Sequence, residues 1–288
     1  MIQDIAPHTF DNAYRNPAPG PDSYALYYEG QTVLVDLLVD GTFDFPKFRD
    51  LEALNNDIYH TYTYLFSIDG RPFYLLDHIT VPAPSGFTME NIRMFRGSAP
   101  RHLAFAGITG HQLYLWYESS RYCGRCGAPL RPHETERMMY CDACHQMDYP
   151  RISPAVIIGV TDGSRLLLSK YNGRTYKKYA LLAGFTEIGE TLEETVKREV
   201  MEEVGLKVSN VRYYKSQPWS FSGTLLVGYF CDLAEPGEIR LDENELALAE
   251  WFEREDIPLE DDDHASLTHE MIRYFKEMST QAPPPDPL

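Results

Sequence analysis

The sequence has few basic residues and no long apolar run. Its 288 residues carry 43 acidic and 26 basic side chains, and the resulting net charge of −17 disfavours broad binding to nucleic acid. No stretch approaches the roughly 18 consecutive apolar residues of a transmembrane helix. Residues 1–30 also lack the basic and then apolar order of a secretory signal. We therefore expect a soluble, cytoplasmic protein with no membrane partner.

Cysteine is also scarce, but its placement is informative. Four of the five cysteines form two C-x-x-C pairs, Cys123 with Cys126 and Cys141 with Cys144. Two such turns present four thiolates, which suit tetrahedral Zn²⁺ and leave no open coordination position. We predict one structural zinc in a small ribbon over residues 119–149. A redox role is the alternative, but it does not explain why there are two pairs.

The most informative stretch runs from Gly184 to Leu206 and reads GFTEIGETLEETVKREVMEEVGL. Thr191 and Glu194, three residues apart, predict a capping box that starts a helix. Gly205 predicts the end of that helix. The apolar positions of the helix form one stripe that can dock on a sheet: Leu192, Val196, Val200 and Val204.

Three carboxylates lie beside the apolar stripe. Glu199, Glu202 and Glu203 fall at i, i+3 and i+4, so they share one sector of the helix, where like charges repel. Bound hard cations would reverse that repulsion, because Mg²⁺ prefers carboxylate oxygens and also binds substrate phosphates. A solvated acidic face is the alternative, although the neighbouring apolar stripe and glycine loop disfavour it.

The same stretch resembles the Nudix box, G-x5-E-x7-R-E-U-x-E-E-x-G-U with U apolar, without a mismatch. The matching residues are Gly184, Glu190, Arg198, Glu199, Val200, Glu202, Glu203, Gly205 and Leu206. The segment Ser216-Gln-Pro-Trp-Ser-Phe-Ser-Gly-Thr224 resembles the S-Q-P-W-P-F-P-x-S signature, with Ser220 and Ser222 in place of prolines and Thr224 in place of serine. With the ribbon before the box, residues 115–275 resemble the NADH pyrophosphatase family of Nudix hydrolases.

This resemblance implies a site for about two or three Mg²⁺ or Mn²⁺ ions. The implied ligands are Ala183, through its carbonyl, Glu199, Glu202, Glu203 and Glu245. Glu203 is the favoured catalytic base. Arg198 is expected to orient the glutamates through charge-assisted hydrogen bonds.

The resemblance also implies a dinucleotide pocket. Phe185 would stack on a ring of the substrate, and the wall would be formed by Gln217, Pro218, Trp219, Ser220, Phe221, Ser222, Gly223 and Thr224. Tyr149 and Glu136 match substrate contacts that the family supplies across a homodimer interface. Thr268 stands where the family has a small residue. Ordinary core packing is the alternative for the two aromatic residues of the wall.

The implied reaction is hydrolysis of the diphosphate of NADH or NAD⁺ to nicotinamide mononucleotide and AMP. One alternative is the same chemistry on NAD-capped RNA, for which Arg121, Arg125 and Arg131 near the ribbon are candidate contacts. The other is a zinc-ribbon binding or regulatory protein whose Nudix domain is catalytically idle. Such a protein is expected to have a degraded box, whereas this box is intact.

Taken together, the sequence predicts an α+β or α/β protein with three folded parts and a tail. Residues 1–118 show period-two patterning and turn signals, and predict a strand-rich domain. The ribbon follows at 119–149, and a Nudix α/β/α sandwich is expected over 150–280. The proline-rich tail, 281–288, is expected to be disordered.

Local patterns also predict individual elements. Glu29-Gly30 and Asp69-Gly70 mark hairpin turns between strand-like runs. Tyr179 to Ala183 predicts a strand that leads into the glycine loop, and Glu250 begins another short strand. Ser266 to Met278 has helical spacing.

Overall fold

The computed structural model describes residues 1–81, 86–173, 178–259 and 265–278. The chain forms two compact units. The first contains residues 2–151 and 220–222, and the second contains Met1, 152–219 and the chain from 223 onward. The predicted disordered tail, 281–288, lies outside the described residues. Within the described ranges, no helix is long and apolar enough to cross a membrane.

The first unit begins with a sheet that is seven-stranded over the described residues. Its strands are β1 (Phe10–Asp11), β2 (Tyr24–Glu29), β3 (Thr32–Leu37), β4 (Phe43–Asp44), β5 (Tyr62–Ile68), β6 (Arg71–Leu76) and β7 (Phe87–Asn91). They lie in the order β1-β5-β6-β2-β3-β4, with β7 paired to β3. The helices are α1 (Phe48–Leu51), α2 (Arg101–Ser119) and two 3-10 turns, Glu52–Leu54 and Ile92–Arg96.

Both predicted hairpins are confirmed. β2 and β3 pair around the turn at Gly30, and β5 and β6 pair around Asp69-Gly70. Each glycine, like Asp69, has a positive φ, which is the backbone conformation of tight two-residue hairpin turns. Residues 103 to 116, which follow this sheet in sequence, are part of α2.

The ribbon completes the first unit. Its short strands β8 (Arg131–Pro132), β9 (Met139–Tyr140) and β10 (Met147–Asp148) form an antiparallel sheet in the order β10-β9-β8. The first cysteine pair precedes β8 in sequence, and the second lies between β9 and β10. The ribbon therefore depends on its metal ligands and on its neighbours in the unit, because six strand residues cannot form a core of their own.

The second unit is built on a sheet with six strands among the described residues. They are β11 (Ser153–Asp162), β12 (Arg165–Tyr171), β13 (Leu182–Phe185), β14 (Val208–Trp219), β15 (Thr224–Leu233) and β16 (Leu246–Glu253). The order is β14-β15-β11-β12-β16, with β13 paired to β11. Two helices, α3 (Leu192–Val204) and α4 (Leu267–Glu277), and a 3-10 turn, Arg254–Asp256, complete the unit.

The two helices cover opposite faces of this sheet. Residues of β11 alternate between the two cores, as the period of a strand requires. Val156 and Ile158 pack with α3, whereas Ile157 packs with α4. The α3 core includes Val196, Val200 and Val204, and the α4 core includes Leu267, Met271, Ile272 and Phe275. This arrangement confirms the predicted α/β/α sandwich.

Two predicted strand boundaries are wrong. β13 runs from Leu182 to Phe185 because it is defined by pairing with β11, whereas Ala180, before it, pairs with Ser169 of β12 in an isolated bridge. The glycine of the box therefore lies inside a strand. β16 begins at Leu246, four residues before the predicted start, because it pairs along the whole length of β12.

Candidate active site and metal centre

Helix α3 is placed by the features that the sequence showed. The Thr191 hydroxyl accepts a hydrogen bond from the Glu194 backbone N–H at 3.2 Å, and the Glu194 carboxylate accepts one from the Thr191 N–H at 2.8 Å. Gly205 ends the helix with a φ of 67°. These contacts confirm the capping box and the glycine stop. The buried valine stripe then fixes the rotation of α3, and with it the direction of the glutamates.

Glu199 lies directly against the glycine of β13. A Cβ on Gly184 would lie 1.9 to 2.3 Å from the carboxylate atoms of Glu199, so a side chain at this position would displace the carboxylate. Burial raises the pKa of Glu199, Arg198 opposes that shift, and the negative charges of Glu202 and Glu245 add to it. Glu202 and Glu245, two of the predicted ligands, therefore both act electrostatically on the carboxyl group of Glu199.

Glu203 is only 1% exposed, one turn along α3 from Glu199. Its backbone carbonyl accepts a hydrogen bond from the Asp242 N–H at 3.0 Å. This contact ties the segment before β16 to the end of α3. Glu245 follows in that segment, and its own carbonyl accepts from the Asn172 N–H at 2.8 Å. Backbone contacts thus hold Glu245 near the helix although it comes from a different part of the chain.

Arg198 connects the glutamates to the glycine loop. Its guanidinium donates two hydrogen bonds to Glu190, at 2.6 and 2.9 Å, and one each to Glu199 at 2.7 Å and Glu202 at 2.9 Å. A further bond at 2.9 Å goes to the carbonyl of Phe185. The Arg198 guanidinium lowers the pKa of Glu190 to about 2. The expected orienting contacts are present, and Glu190 is an additional partner that sequence reasoning assigned no role.

The carboxylates do not meet at a single point. Among the described residues, the four cysteines are the only group of three or more His, Cys, Asp or Glu side chains whose ligand atoms all lie within 4.8 Å of one another. The donor set nevertheless fits Mg²⁺ or Mn²⁺, because it consists of hard oxygens, one of them on a nearly fully buried residue and one pressed against a bare glycine. Ala183, the remaining predicted ligand, is the β13 residue before that glycine.

Two groups of predicted substrate residues lie at the end of β13 and in the hairpin that joins β14 to β15. Phe185 is the last residue of β13 and is 57% exposed. The predicted wall is the hairpin between β14 and β15: Gln217, Pro218 and Trp219 end β14, Ser220, Phe221, Ser222 and Gly223 form the turn, and Thr224 starts β15. Trp219 and Thr224 form the strand pair next to the turn of this hairpin.

Gln217 makes contacts that the sequence did not suggest. Its side chain is fully buried, donates to the Ala265 carbonyl at 2.8 Å and accepts from the Leu267 N–H at 2.7 Å. Both bonds hold the backbone at the start of α4. Thr268 is the second residue of that helix. The amide of Gln217 therefore joins the hairpin that carries the predicted wall to the helix that carries Thr268.

The four cysteines form the predicted zinc centre. Their sulfurs pair at 3.5 Å, Cys123 with Cys144 and Cys126 with Cys141. A tetrahedron of sulfurs about 2.3 Å from zinc would have S–S distances of about 3.8 Å, so the set fits the ion. Both turns have the same backbone hydrogen bond, from residue i+4 to the carbonyl of the first cysteine: Gly127 to Cys123 at 2.9 Å and His145 to Cys141 at 2.8 Å.

The ribbon also carries the other two predicted substrate residues. The Tyr149 hydroxyl donates to a Glu136 carboxylate oxygen at 2.9 Å, and both residues are exposed. The structure thus brings these two residues together with each other, as a hydrogen-bonded pair.

The arginines proposed for RNA contacts are partly neutralised. Arg121 is paired with Glu118 and lies 3.2 Å from Asp77, and Arg131 makes a two-pronged ion pair with Asp142 at 2.8 and 2.9 Å. Arg125 is exposed. Two of the three positive charges near the ribbon are therefore balanced locally.

Models of two known domain families match adjacent parts of the chain. Residues 151–275 match the family model of the NUDIX domain, and residues 118–147 match that of the NADH pyrophosphatase zinc ribbon domain. This order confirms the resemblance found in the sequence. A crystal structure of a NUDIX hydrolase from Nitrosomonas europaea covers 55% of this chain and 91% of that one, with a TM-score of 0.47 and 24% identity.

Curated relatives match part of the chain. The NAD-capped RNA hydrolase NudC of Klebsiella pneumoniae subsp. pneumoniae is 39% identical over 171 residues, which are 59% of this chain and 66% of that protein. The protein of the same name from Salmonella paratyphi C is 42% identical over 150 residues, 52% of this chain and 58% of that protein. The chain thus spans less than two thirds of the length of these relatives.

Proposed function

Because the chain belongs to the Nudix hydrolases that carry an NADH pyrophosphatase zinc ribbon before the Nudix domain, we propose that it hydrolyses the diphosphate of NADH or NAD⁺. The products would be nicotinamide mononucleotide and AMP. The observation that carries this proposal is the placement of the α3 glutamates, with Glu199 against Gly184 at the end of β13 and the exposed ring of Phe185 next in sequence.

The chain's own residues have distinct roles in this reaction. Glu199, Glu202, Glu203 and Glu245, with the Ala183 carbonyl, would hold Mg²⁺ or Mn²⁺. When bound, these ions neutralise the diphosphate and lower the pKa of a bound water. We assign the role of base to Glu203, whose carboxylate accepts the proton of the attacking water. Arg198 keeps Glu199 and Glu202 in place through its hydrogen bonds.

The substrate would be placed by groups outside the carboxylate set. The open face of Phe185 is available to stack on nicotinamide or adenine, a contact worth on the order of 0.5–1.5 kcal/mol. The hairpin from Gln217 to Thr224 and the start of α4 would form the wall of the pocket, and the Gln217 amide would keep these two parts together. Tyr149 and Glu136 would contact the dinucleotide of a partner subunit in a homodimer. A cytoplasmic setting suits this role, because reducing conditions keep the zinc ligands as thiols.

Removal of NAD from capped RNA is the second candidate, and the name of the curated relatives favours it. The electrostatics favour the small substrate, because the net charge is −17 and two of the three ribbon arginines are already paired with acids. The two substrates share the bond that is broken. They therefore differ only in contacts with the RNA chain.

A comparison of kcat/KM for NADH, NAD⁺, ADP-ribose and a short NAD-capped RNA, in Mg²⁺ and in Mn²⁺, tests the proposal. We expect hydrolysis of NADH to nicotinamide mononucleotide and AMP, its loss with EDTA and its recovery with Mg²⁺. The same RNA with a 5′ triphosphate is the matched control. A capped RNA turned over more than ten times as efficiently as NADH, with a steep salt dependence, would favour the second candidate. No turnover of any substrate would favour an idle binding protein.

A further inference from the structure

The turn between β8 and β9 is closed and carries Glu136. We call residues 133–138 the ribbon tip. The His133 N–H donates to the Met138 carbonyl at 2.9 Å, and the Met138 N–H donates to the Glu136 carbonyl at 2.8 Å. Glu136 itself is exposed and accepts the hydrogen bond of Tyr149. The position of the tip therefore sets the position of Glu136.

The residue after Glu136 points into the N-terminal part of the unit. Arg137 donates from Nη2 to the Leu65 carbonyl at 2.5 Å and to the side-chain and backbone oxygens of Asn12 at 3.3 and 3.4 Å. Its guanidinium lies 5.5 Å from the ring centre of Tyr14. The Tyr14 hydroxyl in turn donates to the His133 carbonyl at 2.9 Å. We call Asn12, Tyr14 and Leu65 the arginine socket.

Burial of the guanidinium in this socket carries an electrostatic cost. Burial lowers the pKa of Arg137, and the neighbouring tyrosines oppose this shift. The guanidinium makes no ion pair with the described residues. Its Nη1 is buried without a hydrogen-bond partner there. A half-buried cation held by carbonyls and an aromatic face is a poor source of stability, because desolvation offsets much of the gain. Its directional donors do, however, fix one geometry.

From this geometry we infer that Arg137 is a positioning residue for substrate binding. The socket holds the tip at His133 and at Arg137, and Glu136 lies between these two points, where it meets Tyr149. The inference rests on the proposed function, in which the Glu136–Tyr149 pair contacts the dinucleotide. The N-terminal part of the unit thereby acquires a role in substrate binding, because it aligns the end of the ribbon that would contact the substrate.

Arg137→Met and Arg137→Lys test the inference, with Arg93→Met as the matched control. Arg93 is exposed, belongs to the same unit, and its side chain makes no hydrogen bond or ion pair with the described residues. We expect both Arg137 variants to raise KM for NADH about three- to ten-fold with kcat nearly unchanged, because lysine keeps the charge but not the planar fork. Zinc content should stay at one equivalent. An unchanged KM, even with a lower melting temperature, would overturn the positioning role.

A double variant separates action through Glu136 from a general loosening of the unit. If Arg137 acts through Glu136, Arg137→Met should add no further rise in KM once Glu136→Ala is present. Multiplying effects would overturn this coupling.

Hydrogen exchange tests the anchoring without any substrate. The His133 and Met138 amides should exchange faster in Arg137→Met than in Arg93→Met, and equal exchange would overturn the anchoring. A wild-type protein that does not hydrolyse NADH would instead refute the proposed function and leave this exchange result standing.

Discussion

The two proposed sets of metal ligands in this protein differ in how far the folded chain has assembled them. All four thiol sulfurs lie within 4.8 Å of one another, whereas the described glutamates at α3 and before β16 do not form such a group. The sulfurs come from two turns of the same backbone design, closed by short-range hydrogen bonds. The glutamates come from a helix and a distant loop, and Arg198 holds two of them.

Charge accounts for the difference. Thiols are neutral when protonated, so the turns can bring them together without repulsion, and their ion then becomes part of the folded state. Carboxylates repel one another at neutral pH. Burial is the largest cause of the raised pKa of Glu199, and the charges of Glu202 and Glu245 add to it. We infer that the thiol set has a structural purpose. The carboxylate set is suited to ions that come and go with substrate phosphates.

The largest expected effect is a loss of activity from a change in the carboxylate set that leaves the thiol set intact. Glu203→Gln should lower kcat/KM for NADH to below about a hundredth, roughly 2.7 kcal/mol in barrier, because an amide binds Mg²⁺ poorly and cannot accept a proton. Zinc content and melting temperature should be retained. A variant that keeps more than a tenth of the wild-type rate would remove Glu203 from the role of base.

The reverse experiment breaks the thiol set. Cys123→Ser should lose the zinc and unfold the ribbon, because the ribbon has too little core to fold without its ion. Limited proteolysis should then cut between residues 119 and 149 while the Nudix unit stays intact. A full equivalent of zinc in the purified variant, measured by metal analysis, would contradict this expectation.

A smaller effect is expected beside the carboxylates. Phe185→Ala should raise KM for NADH several-fold, because a stacking face is lost, and should change the melting temperature little, because the ring is already 57% exposed. Truncation of a core phenylalanine would instead cost roughly 3–5 kcal/mol of stability. NADH kinetics and a thermal melt on this one variant distinguish the two roles. A large fall in melting temperature with unchanged KM would identify core packing.

The smallest effect concerns the residue that follows the second cysteine in each cysteine turn, Gly127 in one and His145 in the other. Gly127 in the first turn has a φ of 74°, and His145 at the equivalent place in the second has a φ of 59°. No atom lies within 4 Å of a Cβ added at Gly127, so Gly127→Ala should act through backbone strain alone and weaken zinc binding, at a cost of about 1 kcal/mol.

His145→Gly should change zinc affinity in the opposite direction, by less, because the variant also loses the 2.6 Å contact of His145 with the Tyr140 hydroxyl. Competition with a chelator measures both. Equal affinities in wild type and in Gly127→Ala would show that the left-handed backbone at this position carries no cost.

Much of the site could be predicted because it is local in sequence. The capping box of α3, its glycine stop and the spacing of Glu199, Glu202 and Glu203 all fall within one helix, so helical periodicity is enough to place them. The cysteine spacing similarly defines the zinc centre. Glu245 came only from the family resemblance, since nothing in its surroundings marks it as a ligand.

The contacts that sequence reasoning missed are those between distant segments. Arg137 binds Leu65 and Asn12 across separations of 72 and 125 residues, and Gln217 reaches Ala265 and Leu267 across 48 and 50. No period or turn signal reports such pairs. Glu190 is different, because it is a fixed position of the box eight residues before Arg198, and opposite charge at that spacing could have suggested the pair.

The amide of Gln217 has a consequence for any exchange of the proposed substrate-binding hairpin between related enzymes. A graft of residues 217–224 alone would separate the Gln217 amide from its two backbone partners, the Ala265 carbonyl and the Leu267 N–H. Both partner residues are buried. The transplantable module is therefore discontinuous: it consists of the hairpin and the first turn of α4. A chimera with that boundary would take both partners of the Gln217 hydrogen bonds from the same parent enzyme.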